Sequence, residues 1–167
     1  TIASLIGTLA QLRRPQHPPL NHFPLVTIIV PVFNSADTLE TCIRSIAQQT
    51  YPVEQIDVLL IDNGTSDNSF EIFMYLQGQL RLSMHWYTLI GRGKSRALNA
   101  GIHMARGQYI CNLDSDAALS PDAIERIVTV MENDPQLAAG TGAIQVLAPE
   151  PGTALIPRFL GECEFFE

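Results

Sequence analysis

Two carboxylates two positions apart, Asp114 and Asp116, are the residues of this sequence best placed to do chemistry. They follow a short apolar run, residues 109–113, which predicts a buried strand that ends just before them. In an open α/β sheet, ligands bind outside the carboxyl ends of the strands. Carboxylates there can bind Mg²⁺ or Mn²⁺, and such an ion usually also holds substrate phosphates. The alternative is a turn before a helix, because Asp and Ser hydrogen-bond to their own backbone there.

The basic, glycine-rich segment of residues 91–96 (Gly-Arg-Gly-Lys-Ser-Arg) is a second candidate. A phosphate-binding P-loop has four residues between its first glycine and its Gly-Lys pair. Counting back from Gly93 puts Thr88 where that first glycine belongs, and the segment follows the third predicted strand instead of the first. We therefore reject the P-loop. The cations and backbone N–H groups of the segment could still bind a diphosphate, and the alternative is a solvated basic turn.

Predicted strands and helices alternate around these residues. Continuous apolar runs predict the strands, and apolar residues at helical spacing predict the helices between them. The predicted strands are residues 26–32, 56–61, 84–88, 109–113 and 139–147, and the predicted helices include residues 39–47, 70–74, 97–105 and 124–131. Ser66 or Asp67 is predicted to cap the second helix, and Gly107 to end the third. This order predicts an α/β fold, a mostly parallel sheet flanked by helices on both faces.

Polar residues follow three of these strands. Asn34 comes after the first strand, Asp62 after the second, and the two aspartates after the fourth. Because parallel strands place all these ends at one edge of the sheet, residues far apart in sequence can converge on one crevice. Turn chemistry alone is the alternative explanation of polar residues at strand ends.

The composition excludes several classes of protein. The 167 residues are 46% hydrophobic and 16% charged, which indicates one folded domain with a real core. Ten basic and 17 acidic residues give a formal net charge of −7, so a nucleic-acid partner is not expected. Three widely spaced cysteines without a Cys-x-x-Cys motif fit a reducing compartment and no structural zinc. No run of about 18 apolar residues is present, so no spanning segment is predicted.

Residues 1–24 are expected to precede the domain proper. Residues 1–12 have a helical apolar stripe, which predicts a helix that packs on the domain or lies at a membrane interface. Four prolines in residues 13–24 predict a stiff, extended linker. The domain is then expected to comprise residues 25–167.

Four segments together resemble the family 2 glycosyltransferases, inverting enzymes with a GT-A (Rossmann-like) fold, over about residues 25–147. Residues 30–34 (Val-Pro-Val-Phe-Asn) resemble the first-strand motif of the family, and residues 60–67 (Leu-Ile-Asp-Asn-Gly-Thr-Ser-Asp) resemble its Asp-Asp-Gly-Ser-x-Asp turn. Residues 93–101 resemble its Gly-Lys-x-x-Ala-Leu-Asn segment, and residues 114–116 fall where its metal-binding Asp-x-Asp belongs. All four motifs in this order are far more specific than any one of them.

This resemblance implies a nucleotide-diphospho-sugar donor, expected to be UDP-linked, and a saccharide or lipid-linked acceptor. It also implies that Asp114 and Asp116 bind Mg²⁺ or Mn²⁺. By the same resemblance, the base and ribose of the donor lie against Phe33, Asn34 and Asp62. The residues expected to bind the nucleotide sugar are Pro31, Phe33, Asn34, Asp62, Gly93, Lys94, Asn99, Asp114 and Ser115.

Two departures from the family pattern matter. Asn63 stands where the turn motif has its second Asp, which keeps hydrogen bonding but loses a charge. The catalytic base of the family is expected beyond residue 167, so we expect a GT-A domain without its C-terminal part. Such a chain would bind the donor, with Lys94 near the diphosphate, but transfer nothing alone. The full-length protein is expected to act at the cytoplasmic side of a membrane.

Two other functions stay open. A sugar nucleotidyltransferase has a similar fold, although Phe-Asn-Ser-Ala at residues 33–36 replaces the glycine-rich, basic sequence expected after its first strand. A non-catalytic nucleotide-binding or scaffold domain would not depend on Asp114 and Asp116. Metal dependence therefore separates the scaffold from the enzymes, and a preference for a nucleoside triphosphate would indicate the nucleotidyltransferase.

Overall fold

The computed structural model describes residues 18–91 and 93–142. Within these residues four strands and four α-helices alternate, as the sequence predicts. The strands are β1 (Val26–Val32), β2 (Ile56–Asp62), β3 (Ser83–Thr88) and β4 (Tyr109–Asn112). The helices are α1 (Leu39–Ala47), α2 (Ser69–Gln79), α3 (Lys94–Met104) and α4 (Ala123–Asn133), and a short 3-10 helix, Val53–Gln55, precedes β2.

The four strands are parallel and lie in the order β3-β2-β1-β4. β1 is buried along its whole length, and its sequence Val-Thr-Ile-Ile-Val-Pro-Val suits a strand covered on both faces. The chain leaves β1 for β2 on one side and comes back to pair β4 on the other side. The carboxyl ends of β1 and β4 therefore border a topological switch point, where open α/β sheets bind ligands.

Pro31 fits this central strand because of where β4 stops. β1 pairs with β2 from Val26 to Val32, but with β4 only from Val26 to Ile29. One further bond, from Leu113 N–H to the Ile29 carbonyl (3.0 Å), ends the ladder on that side. Beyond it, that side of β1 has no strand partner within the described residues. Since Pro31 faces the same side as Ile29, its missing N–H interrupts no ladder bond.

Helices cover both faces of the sheet. Apolar residues of α1, α2 and α4 join buried residues of β1 and β2 in the main core on one face. On the other face, Ala97 of α3 packs against the layer of Ile29, Leu59 and Ile61. Gly101 lets α3 approach closely, because a Cβ atom there would lie 2.5 Å from Ile29 Cγ2.

The N-cap position of the second helix differs from the prediction by one residue. The N-cap of α2 is Asn68, not Ser66 or Asp67, and its side chain makes no capping hydrogen bond. The carboxylate of Asp67 accepts the N–H of Ser69, the first residue of α2, and that of Ala36, 31 positions earlier.

The predicted role of Gly107 is wrong. α3 ends at Met104, and Gly107 does not have the positive φ angle of a glycine cap. A Cβ atom at Gly107 would lie 2.5 Å from Thr27 N and 2.8 Å from the Leu25 carbonyl oxygen. This glycine is therefore required by the close approach of two backbone segments.

The predicted fifth strand is not formed where the structure describes it. Residues 139–142 belong to no strand, and their sequence Ala-Gly-Thr-Gly has little preference for one. Residues 143–147 of this predicted strand and residues 1–12 of the predicted N-terminal helix lie outside the described residues. Within the described part of the chain, no helix is long and apolar enough to cross a membrane.

The end of the predicted linker packs against the domain at the amino end of β1. Tyr51, which is 1% exposed, donates its hydroxyl to the Pro24 carbonyl (2.5 Å). Its ring meets Phe23 edge to face, with the ring centres 5.3 Å apart. His22 Nε2 lies 3.6 Å from a carboxylate oxygen of Glu132. These contacts fix where the chain enters β1, on the edge of the sheet opposite to the carboxyl ends of the strands.

Replacing Gly101 with Ala is expected to destabilise the protein. Overpacking against Ile29 costs about 1–3 kcal/mol, which exceeds the roughly 0.5–1 kcal/mol that Ala contributes in a helix. Gly78→Ala is the matched control, because Gly78 also lies in a helix and nothing is within 4 Å of its added Cβ. Urea unfolding followed by circular dichroism should give a lower midpoint for Gly101→Ala and a higher one for Gly78→Ala. Equal shifts would contradict the close packing of α3 on β1.

Candidate functional site

A cleft of about 460 Å³ opens at the switch point, beside the carboxyl ends of β1 and β4. Its walls come from the loop after β1, the turn after β2, the first residue of α3 and the loop after β4. The lining residues are Pro31, Val32, Phe33, Asn34, Ser35, Asp37, Thr38, Asn63, Lys94, Asp114, Ser115 and Asp116. Most of the residues predicted from the sequence lie here, whereas Asp62, Gly93 and Asn99 do not line the cleft.

Asn34 joins the loop after β1 to the turn after β2. Its φ angle is 50°, a left-handed conformation that Asn adopts more readily than most residues. Its side-chain Oδ1 accepts a hydrogen bond from Ser66 N–H (2.9 Å), and its own N–H donates to Thr65 Oγ1 (3.2 Å). The amide NH₂ group is then the donor that Asn34 can offer to a ligand.

The turn after β2 is stabilised by Asp62 and presents Asn63 to the cleft. The carboxylate of Asp62 is buried and accepts the N–H groups of Gly64 (3.0 Å) and Thr65 (2.8 Å). Asn63 Oδ1 accepts the N–H of Gly93 at 2.6 Å. Gly93 therefore contributes through its backbone, by connecting the loop before α3 to this turn.

Lys94 brings positive charge into the cleft. Its Nζ lies 2.8 Å from Asp114 Oδ1, and both side chains are about half exposed. Arg96 is directed elsewhere, because it donates to the Ile90 carbonyl (3.1 Å), and Arg92 lies outside the described residues. An exposed ion pair contributes only about 0–1 kcal/mol, so both charges stay available to a stronger partner.

The loop after β4 exposes its two carboxylates and turns its serine inward. Asp114 and Asp116 are exposed, whereas Ser115 between them is half-buried. A hydrogen bond from Ala117 N–H to the Asp114 carbonyl (3.0 Å) closes the turn. Both carboxylates are thus accessible in the cleft that they line.

A buried thiol supports this loop from behind. Cys42 of α1 donates weakly through its Sγ to the Asp114 carbonyl (3.7 Å). Burial, together with the nearby carboxylates of Asp116 and Asp114, raises the pKa of the Cys42 thiol to about 12. Cys42 therefore stays protonated at neutral pH, so it provides neither a nucleophile nor a thiolate ligand to the cleft.

The donor atoms of the cleft suit a hard divalent cation. Mg²⁺ prefers oxygen ligands, and proteins usually hold it through one or two carboxylates while substrate phosphates and water complete the shell. Among the described residues, no group of three or more His, Cys, Asp or Glu side chains could hold a metal ion. A cation at Asp114 and Asp116 would therefore need further oxygen ligands from a bound substrate or from water.

Sequence reasoning missed several polar residues of the cleft. Ser35, Asp37 and Thr38 lie in the loop after β1, so the positional argument that selected Asn34 could also have found them. The sequence marks Asn63 only as a departure from a motif. Its contact with the N–H of a glycine 30 residues later has no counterpart in any local pattern.

Asp67 orders the backbone behind the cleft. Its Oδ2 accepts the Ala36 N–H (2.8 Å), and its Oδ1 accepts the hydroxyl (2.6 Å) and N–H (3.1 Å) of Ser69. Burial by itself raises the pKa of the Asp67 carboxyl, but these hydrogen bonds outweigh burial and hold the pKa below its usual value of 3.8. The ionised carboxylate thus ties the loop after β1 to the start of α2.

The parallel sheet and its carboxylate-bearing cleft at the switch point place the chain among the open α/β proteins, which bind ligands in such a crevice. The Glycosyl transferase family 2 model matches residues 27–148, and the chain therefore belongs to this family. The chain is 34% identical over 120 residues to glycosyltransferase GlyG of Streptococcus pneumoniae serotype 4. The aligned region covers 70% of this chain and 38% of that protein. It is also 34% identical over 119 residues to hyaluronan synthase of Pasteurella multocida, covering 71% and 12% respectively. The chain thus spans well under half the length of these relatives.

Solved structures of glycosyltransferases share the fold. The mannosyltransferase PcManGT from Pyrobaculum calidifontis, in complex with GDP-Man and Mn²⁺, has a TM-score of 0.67 and 25% identity, over 81% of this chain and 41% of that one. TarS of S. aureus (residues 1-349, in complex with UDP) has a TM-score of 0.61 and 20% identity, over 65% and 32%. The second likeness concerns the fold alone. The predicted GT-A fold is confirmed.

Asp67→Asn is expected to lower stability near neutral pH by about 1–2 kcal/mol, because the amide NH₂ group cannot accept the Ala36 N–H. A carboxyl whose pKa is lowered by folding adds stability above its unfolded pKa, here 3.8. That contribution is lost as the pH falls from there through the lower pKa of the folded protein. Urea unfolding at about pH 7 and about pH 3 should therefore show a difference between the two proteins that shrinks in acid. A difference that is independent of pH would contradict this role of Asp67.

Proposed function

We propose that this chain is the donor-binding part of a glycosyltransferase that uses a nucleotide-diphospho-sugar, with a UDP-linked sugar as the first candidate. The observation that carries the proposal is the meeting of Asp114, Asp116 and Lys94 in one cleft at the switch point. Membership of Glycosyl transferase family 2 supports sugar transfer as the reaction. The mannosyltransferase neighbour was solved with GDP-Man and Mn²⁺, which favours a nucleotide sugar and Mg²⁺ or Mn²⁺ here as well.

Each group in the cleft has a role toward such a donor. Asp114 and Asp116 would hold the cation, which supplies Lewis-acid stabilisation of the charge that develops on the departing diphosphate. Lys94 adds a mobile ammonium for the phosphate oxygens. Phe33, which is 46% exposed, offers a flat apolar ring to the base, and the amide of Asn34 offers a hydrogen-bond donor to the base or ribose.

Family membership and the similar proteins support the part of the proposal that concerns the acceptor. Attack by an acceptor hydroxyl from the face opposite to the diphosphate would invert the anomeric centre. A saccharide or lipid-linked acceptor is the class proposed here, and the similarity to a hyaluronan synthase favours a saccharide. The general base that takes the hydroxyl proton is expected beyond residue 167, so this chain alone should bind the donor without transferring sugar.

The proposal extends to the organisation of the whole protein. Residues 25–167 would belong to the transferase domain, and residues 1–24 would precede it. The full-length enzyme would act at the cytoplasmic side of a membrane, in the synthesis of a polysaccharide or a cell-envelope glycan.

Calorimetric titration of UDP and GDP, each with Mn²⁺ or with a chelator, tests the donor site. We expect UDP to bind only when Mn²⁺ is present. Asp116→Asn should weaken this binding about 10–100-fold, because the variant loses the carboxylate charge and an interaction made by a charged group is worth about 1.5–3 kcal/mol. Glu71→Gln is the matched control, because Glu71 is an exposed carboxylate of α2 outside the cleft. Equal UDP binding by the Asp116→Asn variant and the wild type would contradict the cation site. Binding of GDP but not of UDP would change the proposed nucleobase from uracil to guanine.

Lys94→Met is expected to change metal and nucleotide binding in opposite directions. Without nucleotide, Lys94 and a cation compete for Asp114, so the substitution should raise Mn²⁺ affinity about two- to fivefold, the worth of an exposed ion pair. With saturating Mn²⁺, it should lower UDP affinity, because a charged hydrogen bond to phosphate is lost.

Arg126→Met is the control for Lys94→Met. Arg126 forms an ion pair with Asp122 in which both side chains are also about half exposed, and neither residue lines the cleft. This variant should change neither titration. A fall of both Mn²⁺ and UDP affinity in Lys94→Met would contradict the competition at Asp114.

A further inference from the structure

A side-chain hydrogen bond joins the two loops that border the switch point. Ser35 Oγ, in the loop after β1, lies 2.7 Å from Ser115 Oγ, in the loop after β4, and the two residues are 80 positions apart in sequence. β1 and β4 pair only as far as Ile29 and Asn112, so the ladder stops before it reaches either serine. The bond between the two serines extends the connection from the strands into the cleft.

Ser35 is itself firmly held, so it can serve as a fixed point. It is 7% exposed, its N–H donates to Ser69 Oγ (3.0 Å), and its hydroxyl donates to the Phe33 carbonyl (3.3 Å). Ser69 in turn donates its hydroxyl to Asp67 (2.6 Å). In the contact between Ser35 and Ser115, either hydroxyl can be the donor. A chain of hydrogen bonds thus runs from the cleft to the start of α2.

Ser115 is the inward residue between the two exposed carboxylates. The ends of its loop are held by backbone bonds, from Leu113 N–H to β1 and from Ala117 N–H to the Asp114 carbonyl (both 3.0 Å). Between these bonds, the contact with Ser35 fixes the central residue. Asp114 and Asp116, on either side of Ser115, are exposed and line the cleft, so fixing Ser115 restrains the backbone that carries both carboxylates.

We propose that Ser35 is a positioning residue for the cation site. It fixes Ser115, and through Ser115 it holds Asp114 and Asp116 in the arrangement that binds the cation. This inference rests on the proposed function, because it concerns the same cation site. Without the bond the loop would sample more conformations, and cation binding would have to order it, which weakens the affinity.

A double-mutant cycle of Ser35→Ala and Ser115→Ala, titrated with Mn²⁺ in the absence of nucleotide, measures this coupling. Each single substitution should weaken Mn²⁺ binding about three- to tenfold, the worth of one hydrogen bond. The double variant should bind no more weakly than either single variant, because both substitutions remove the same bond. Unchanged affinity in Ser35→Ala, or additive losses in the double variant, would overturn the proposal.

Ser83→Ala separates positioning from a general loss of stability. Ser83 Oγ donates to Asp57 Oδ1 at 2.8 Å near the amino ends of β2 and β3, so this variant loses a similar hydrogen bond at the opposite edge of the sheet. We expect a lower unfolding midpoint with unchanged Mn²⁺ affinity. Ser35→Thr, which keeps the hydroxyl, should recover the affinity lost in Ser35→Ala. Equal losses of Mn²⁺ affinity in Ser83→Ala and Ser35→Ala would assign the effect to stability and overturn the proposal.

Amide hydrogen exchange gives a reading that does not need the cation. Residues 113–117 should exchange faster in Ser35→Ala than in the wild type, and at an unchanged rate in Ser83→Ala. If the wild type binds no Mn²⁺, the proposed cation site fails, and the exchange rates alone decide whether Ser35 holds the loop. If the wild type binds Mn²⁺ while affinity and exchange are unchanged in Ser35→Ala, the proposed function stands and the role of Ser35 is overturned.

Discussion

The unequal pairing of β1 with its two neighbours is the constraint on which the rest of the structure depends. β1 pairs with β2 along its whole length, but with β4 only over its first half, Val26–Ile29. Both halves contribute to the core, since Val30 and Val32 are as fully buried as Ile28. The half with one partner, which contains Pro31, leaves space for the loops that line the cleft. One strand therefore supplies both the most buried residues of the domain and the opening at which a ligand can bind.

The cleft is held together mainly by short polar side chains that bind backbone N–H groups. Asn34 accepts from the turn after β2, Asn63 accepts from Gly93, and Asp67 accepts from the loop after β1. Loops have no strand or helix partners for their backbone groups, and an unpaired buried N–H is costly. The polar residues of the turn after β2 meet this need, so their types are explained by the turn itself before any ligand is considered.

Apolar patterns predicted where the strands and helices lie, because burial on one or both faces repeats along most elements. The predicted burial of the fourth strand is wrong in the described part of the chain, where β4 is at the edge of the sheet and Ile110 is 48% exposed. The position of polar residues after strands also predicted that Asn34, Asp114 and Asp116 meet in one cleft, as the structure shows. By contrast, the caps of α2 and α3 were predicted from local sequence, whereas Asp67 and Gly107 are determined by contacts with Ala36 and with the Thr27 region. The link between Ser35 and Ser115 could not be predicted for the same reason, since it joins two loops that only the folded sheet brings together.

Tyr51 and Phe23 hold the incoming chain at the amino ends of the strands, on the side of the sheet away from the cleft. A tether attached through residues 18–24 would therefore leave the described part of the domain at the end of the sheet opposite to the cleft. If the tether were attached to a surface, the domain would present its open cleft away from the point of attachment, toward whatever approaches from solution.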